Sequence, residues 1–229
     1  MAEYEEMVPG IFLNRPNRFI AYVKIAGEEK ICHVKNTGRC RELLVPGTTV
    51  WCQHHPSSAN RKTEYSLIAV KKGERLINMD SQIPNQVALE WLQAGGLGAV
   101  PQIIRREVKF DNSRFDLYFE MAGKKAFMEV KGVTLEEDNL AKFPDAPTAR
   151  GNKHLLELQK AVRQGYEGYI LFVIQMAGVL QFSPNWQTDP AFSRQLCQAA
   201  QAGVQILARE CHVTPTSIQL SDPVPIQLE

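Results

Sequence analysis

Two different rhythms of apolar and polar positions divide this chain. Up to residue 80 the apolar residues fall in short runs, "GIFLNR", "RFIAYVKI", "EKICHVKN", "TTVWCQHH", "YSLIAVKK" and "RLINMDS", rich in Val, Ile, Tyr and Phe. Turn-forming residues at "NRPN", "AGEE", "NTGR" and "PSSANRK" separate them, which reads as strands joined by turns. In "RFIAYVKI" the alternation sets Phe19, Ala21 and Val23 on one face and Ile20, Tyr22 and Lys24 on the other. Five or six short strands in the first 80 residues suit a small closed or partly open barrel of the OB type.

From Pro84 the period changes. "NQVALEWLQAGGL" carries Val87, Leu89, Trp91 and Leu92 at helical spacing and ends in Gly95 and Gly96, a helix stop. Three strands are expected around "IIRREVKF", "RFDLYFE" and "AFMEVKG". The loop "KFPDAPTARG" leads into "NKHLLELQKAVRQG", where Leu155, Leu158 and Val162 share a helix face and Gly165 marks its end. A buried-type strand "YILFVIQM", a helix "FSRQLCQAAQAG" and a strand "VQILARECHV" follow. This order predicts an α/β domain with at least one crossover and a mixed sheet. The predicted class is therefore all-β plus α/β: an OB-like domain over residues 1–82 and an α/β domain over 83–229.

Composition narrows the setting. With 229 residues and 44% hydrophobic content, the chain buries a core large enough for two domains. The apolar stretch "YILFVIQMAGVL" is shorter than the roughly 18 residues a membrane helix needs. The start "MAEYEEMVPG" is acidic and lacks a secretory pattern, so a cytoplasmic protein with no membrane partner is expected. Five cysteines, Cys32, Cys40, Cys52, Cys197 and Cys211, point to reduced thiols. Neither Cys52 with His54 and His55 nor Cys211 with His212 has the partnered spacing of a zinc site. The net charge of +1 conceals an asymmetry, with 12 Lys and Arg against 6 Asp and Glu from Met7 to Asp80. From Pro84 onward the count is 14 against 16, so the basic first half suits an anionic partner.

Candidate chemistry lies in "FDLYFEMAGKKAFMEVKG", residues 115–132. Period-2 alternation sets Phe115, Leu117 and Phe119 on one face and Arg114, Asp116 and Tyr118 on the other. In the next strand Phe127, Glu129 and Lys131 share a face. If the strands pair through "MAGKK", Asp116, Glu129 and Lys131 converge. Two carboxylates suit a hard divalent cation, Mg²⁺ or Mn²⁺, which takes carboxylate, water and phosphate oxygen. A lysine beside them can stabilise phosphoryl charge or orient an attacking water, the equipment of phosphodiester hydrolysis. Charged residues on an exposed hairpin face would read the same way in sequence.

The runs "SRFDLYFE", "FMEVKGVTL", "AKFPDAPTARGNKHLLEL" and "ILFVIQM", in this order, resemble the sugar fermentation stimulation protein family. "RFIAYVKIAGEEKICHVKNTGRCRELLVPGTTVW", "RKTEYSLIAV" and "NQVALEWLQAGGL" extend the resemblance over nearly the whole chain. It implies an N-terminal OB-like domain and a C-terminal domain of PD-(D/E)xK nuclease type. It also implies DNA, ahead of RNA, as partner and a link to sugar metabolism, including maltose use. Transferred onto this chain, the motif makes Asp116 and Glu129 metal carboxylates, Lys131 the lysine and Val130 the donor of a backbone carbonyl. Phe115 stands where the motif's proline would be. Oligomeric state is not set by the sequence.

Further candidates surround this set. Glu90, in the predicted helix, and Glu107, in "RREVKF", are either accessory carboxylates or solvated charges. Asp145 or Thr148 caps the helix that follows "PDAPTARGNKH", and Arg150 and Lys153 at its start are candidate phosphate contacts. His154 is a structural hydrogen-bonding group or a proton-transfer group. Gln175 either reaches the site face or satisfies a core hydrogen bond. In the barrel, Arg39, Arg41, Arg61 and Lys62 are candidate nucleic-acid contacts, with Tyr22, Trp51 and Tyr65 as stacking or core aromatics. Three functions fit: a metal-dependent nuclease, a non-catalytic DNA-binding regulator of sugar (maltose) metabolism genes, and an enzyme acting on another phosphorylated substrate.

Overall fold

The computed structural model describes residues 1–36, 38–56 and 61–229. The expected turns "NTGR" and "PSSANRK" fall in part, at residue 37 and at residues 57–60, outside the described residues. After a short β1 (Ala2–Glu3), the first half forms β2 (Met7–Asn17), β3 (Ile20–Ile25), β4 (Glu28–Val34), β5 (Thr49–His54), β6 (Tyr65–Lys72) and β7 (Arg75–Asn78). They pair in the order β4-β3-β2-β5-β6-β7, and a parallel pairing of β4 with β6 closes five of them into a barrel. Val23, Cys32, Val50, Cys52 and Leu67 fill it. Phe19 does not join Ala21 and Val23 on the inner face and is 50% exposed. The Asn17 side chain accepts from the N–H groups of Phe19 and Ile20, so Phe19 belongs to a turn and the pleat starts after it.

The second half supplies α1 (Ile83–Gln93), β8 (Ile103–Phe110), β9 (Ser113–Met121), β10 (Lys124–Val133), β11 (Leu135–Glu137), β12 (Leu140–Phe143) and α2 (Ala149–Arg163). Then come β13 (Glu167–Ile174), β14 (Gln181–Pro184), α3 (Pro190–Gln201), β15 (Gln205–Thr214) and β16 (Ser217–Pro223). A seven-stranded sheet runs β1-β16-β15-β13-β10-β9-β8. Within it β13 is parallel to β10 and β15, while the outer pairs are antiparallel. On one face α1 packs Val87, Ala88 and Leu92 with Leu117, Met128, Leu171 and Val173. On the other, Leu155, Leu158, Phe192 and Leu196 of α2 and α3 meet Phe127, Ile170 and Phe172. Both faces of β13 are therefore covered, which is why its sequence is an unbroken apolar run.

The N-terminal strand departs from the expected division at residue 82. β1 pairs with β16, and Tyr4 N–H donates to Thr216, so these residues extend the second sheet. Backbone pairing of so short a segment leaves no periodicity to read. The two halves are also joined by polar contacts. Gln175 Nε2 donates to Asn78 O, Asn78 Oδ1 and Asp80 O, and Asn78 N–H donates to Gln175 O. Lys72 and Arg75 of the first half both pair with the buried Glu136 of the second. No helix among the described residues is long and apolar enough to cross a membrane.

Candidate active site

The site begins with a defect in the sheet. β10 and β9 pair from Lys124–Met121 to Met128–Leu117, where the ladder stops. On the other side of β9, the pairs Arg106–Leu117 and Val108–Phe115 flank a position where Glu107 and Asp116 are unpaired. Glu107 there has a φ of 56°, unusual for a non-glycine residue. On one side of this break Ile104 and Phe119 pack toward α1; on the other, Val108 and Phe115 pack toward α2. Phe115 consequently packs with its ring centre 5.2 Å from that of Phe127, tilted, and 6.2 Å from that of His154, edge-on, instead of sharing a face with Leu117 and Phe119. The strict alternation expected from the sequence fails at the unpaired Asp116, opposite Glu107.

Beyond the last pair, Leu117–Met128, a gap lies between β9 and β10, and the Asp116 side chain reaches across it. Asp116 Oδ2 accepts from the Val130 N–H at 2.8 Å, and Oδ1 accepts from Asn85 Nδ2 of α1 at 2.8 Å. The N–H and C=O of one strand residue point to the same side, so the Val130 carbonyl is directed to this gap as well. Glu129, 2% exposed, receives Lys131 Nζ on Oε1 at 2.5 Å and His154 Nδ1 on the same oxygen. Its other oxygen, Oε2, is buried with no partner among the described residues. Arg150 Nε stands 3.5 Å from His154 Nε2, the ring nitrogen turned away from Glu129.

The two carboxylates are driven apart electrostatically. Burial and the neighbouring Glu129 charge raise the Asp116 pKa against the opposing pull of Val130 N–H, Lys131 and Asn85. Glu129 meets the same burial, but the His154 hydrogen bond and the Lys131 charge outweigh it and hold its carboxyl below the usual value. Such divergence within one pair is typical of sites built for proton or metal chemistry. An unsatisfied buried carboxylate oxygen, a second carboxylate whose ionisation burial opposes and a carbonyl facing the same gap form a donor set that fits a hard divalent cation.

The other predicted residues divide between this site and elsewhere. His154 and Arg150 belong to it through Glu129. Lys153 is exposed and donates to the Asn112 carbonyl at the β8–β9 turn. Thr148, not Asp145, caps α2 by accepting from Gly151 N–H. Glu90 does not approach the carboxylates; it pairs with the Met1 amino group at 2.8 Å and accepts from Gln86. Glu107 is exposed at the strand break beside Asp116. Gln175 does not reach the gap, since its amide is consumed by Asn78 and Asp80. Arg39 and Arg41 line a cavity in the barrel, whereas Arg61 donates to Ser66 and Lys62 is exposed. Asn85 was missed, because one amide in a helical first turn carries no periodic or motif signal.

An OB barrel closed by β4 and β6, followed by an α/β domain whose mixed sheet breaks at an acid–acid–lysine cluster, defines the class of molecule. Residues 13–79 match the family pattern described as the SfsA N-terminal OB domain, and residues 82–217 match the sugar fermentation stimulation protein RE domain. A sugar fermentation stimulation protein homolog of Desulfitobacterium hafniense is 56% identical over 226 residues, covering 99% of this chain and 98% of the relative. One from Clostridium beijerinckii is 51% identical, covering 99% and 100%. The solved structure of Pyrococcus furiosus SfsA in complex with Ca²⁺ matches with a TM-score of 0.88 at 29% identity, covering 99% of this chain and 98% of the other. The chain belongs to the sugar fermentation stimulation protein family.

Proposed function

We propose that this protein hydrolyses phosphodiester bonds in nucleic acid, DNA ahead of RNA, at the Asp116–Glu129–Lys131 site with Mg²⁺ or Mn²⁺. The observation that carries the reading is the buried, unpartnered Oε2 of Glu129 beside an Asp116 whose ionisation the fold opposes. Asp116, Glu129 and the Val130 carbonyl would hold the cation, in the arrangement of PD-(D/E)xK nucleases. When bound, such an ion lowers the pKa of its water and neutralises charge on phosphoryl oxygen. Asn85 and the Val130 N–H fix the Asp116 carboxylate, while His154 fixes Glu129. Lys131 places a positive charge at the mouth of the gap, where it can steady a phosphate or orient an attacking water. The Ca²⁺ held by the Pyrococcus furiosus relative supports a divalent-cation site in this fold.

A second reading, a non-catalytic DNA-binding regulator of sugar (maltose) metabolism genes, draws on the 2.5 Å Lys131–Glu129 pair. A lysine engaged by the metal carboxylate is not free for a scissile phosphate. The discriminating experiment measures cleavage and binding of labelled single- and double-stranded DNA and RNA with Mg²⁺, Mn²⁺ or EDTA. Wild type is compared with Asp116→Ala and Lys131→Ala. Metal-dependent cleavage abolished by both substitutions, with binding retained, supports the hydrolase. Binding by wild type without cleavage refutes it and leaves the regulator.

A further inference from the structure

A cavity of about 380 Å³ opens in the barrel between the second half of β2 and the loop spanning residues 38–46. Arg15, Arg18, Arg39 and Arg41 line it above an apolar floor that includes Cys40 and Leu44, and no Asp or Glu is among its lining residues. None of the four arginines forms an ion pair among the described residues. The Arg15 guanidinium instead donates to four carbonyls, those of Arg18 and Asn36 at 2.7 Å, Gly38 at 2.9 Å and Arg39 at 3.0 Å. It locks the end of β2 to the neighbouring loop, and its buried Nε has no partner among the described residues. Arg18, Arg39 and Arg41 are exposed. Four like charges gathered around one concavity, with Asp145 behind the Gly38 wall as the carboxylate beside it, repel one another, and an anion in the cavity would relieve that repulsion.

We propose that this cavity binds a single nucleoside phosphate unit, with the phosphate on the exposed guanidinium forks and the base or sugar over the apolar floor. Arginine forks match phosphate oxygen in pairs. The volume lies near the lower end of the roughly 300–1,000 Å³ of small-molecule sites, enough for one nucleotide and too small for a base-paired duplex. That the anion is a nucleotide rests on the nucleic-acid reading above. The unit comes either from an unpaired strand or from a free nucleotide. Gly38 in the cavity wall packs against Asp145, in the segment that leads into α2.

The test uses the full chain in EDTA, titrated into a fluorescent single-stranded oligodeoxynucleotide and, separately, challenged with adenosine monophosphate. The variants are Arg18→Ser/Arg41→Ser and Arg18→Lys/Arg41→Lys, exposed positions whose unchanged melting transition verifies the fold. The serine pair should weaken strand binding roughly tenfold and make the slope of log affinity against log salt shallower by about 1.4, two single-strand phosphate contacts. The lysine pair should restore the slope. Displacement of the strand by adenosine monophosphate identifies a free-nucleotide site; binding of the strand alone identifies a strand site. Unchanged affinity and slope in the serine pair for both probes overturns the proposal. If that pair loses binding in EDTA while wild type given Mg²⁺ or Mn²⁺ never cleaves, the cavity stands and the hydrolase falls. If the serine pair binds in EDTA and, given Mg²⁺ or Mn²⁺, cleaves as wild type does, the cavity falls and the hydrolase stands.

Discussion

The contact between His154 and Glu129 explains how a carboxylate 2% exposed is held below its usual pKa despite its burial. His154→Leu keeps much of the volume and removes the donor. Lys131 remains on Oε1 and Oε2 has no partner, so the loss is one hydrogen bond to a charged group, about 1.5–3 kcal/mol. In a Glu129→Gln background the same substitution removes only a neutral hydrogen bond, about 0.5–1.5 kcal/mol. The double-mutant cycle should therefore show a coupling of about 1–2 kcal/mol, above the roughly 0.5 kcal/mol scatter of independent sites. Urea unfolding in EDTA, followed by tryptophan fluorescence and circular dichroism, measures it; Trp51 lies in the barrel strand β5, and Trp91 and Trp186 lie in the second half. If His154→Leu costs the same in both backgrounds, His154 is mere packing and the Glu129 geometry has been misread.

Divalent cation should raise the melting temperature of wild type in a saturable way, by the equivalent of about 2.7 kcal/mol at a hundredfold excess over Kd. Glu129→Gln should abolish the effect, and a wild-type melting curve indifferent to Mg²⁺ and Mn²⁺ in scanning calorimetry would count against the site. Asp116 has a folded pKa above the ordinary 3.8 because of burial and Glu129, so its contribution to stability is present below that value and lost as pH rises through the folded pKa. The stability gain of Asp116→Asn over wild type in EDTA should therefore grow across that window and level off above it; a gain independent of pH sinks the assignment. Gly132→Ala places a Cβ 2.5 Å from Gln175 Oε1 and 2.8 Å from Pro84 Cγ. Displacing Gln175 breaks its bonds to Asn78 and Asp80, so a loss of about 1–3 kcal/mol is expected in urea unfolding, and a neutral result shows that Gln175 does not join the halves.

Much of the architecture was legible because it rests on local pattern. The apolar runs of β3, β5 and β6 alternate or cluster as barrel strands do, and Leu155, Leu158 and Val162 recur at helical spacing in α2. The run "YILFVIQM" is apolar without a break because β13 is covered on both faces. β1, β11, β12 and β14 escaped notice because each has four residues or fewer, too short for a period to emerge. β16, "SIQLSDP", is longer but half polar toward its end.

The candidate site shows the same division at finer grain. Asp116, Glu129 and Lys131 were readable as a set, since their spacing on two strands joined by a tight turn requires only hairpin pairing. Alternation misplaced Phe115 because it assumes an unbroken pleat, while the backbone at Glu107 and Asp116 breaks it. Nothing local marks Asn85, His154 or Gln175 for their roles, since each meets its partner across at least 25 positions of chain. Sequence by itself determined which residues are apolar, where helices and most strands run, and which charges lie near one another along the chain. Tertiary structure alone decided that Glu129 keeps one oxygen unsatisfied, that Gln175 joins the two halves and that four arginines surround one cavity, because burial and hydrogen-bond satisfaction depend on packing between distant segments.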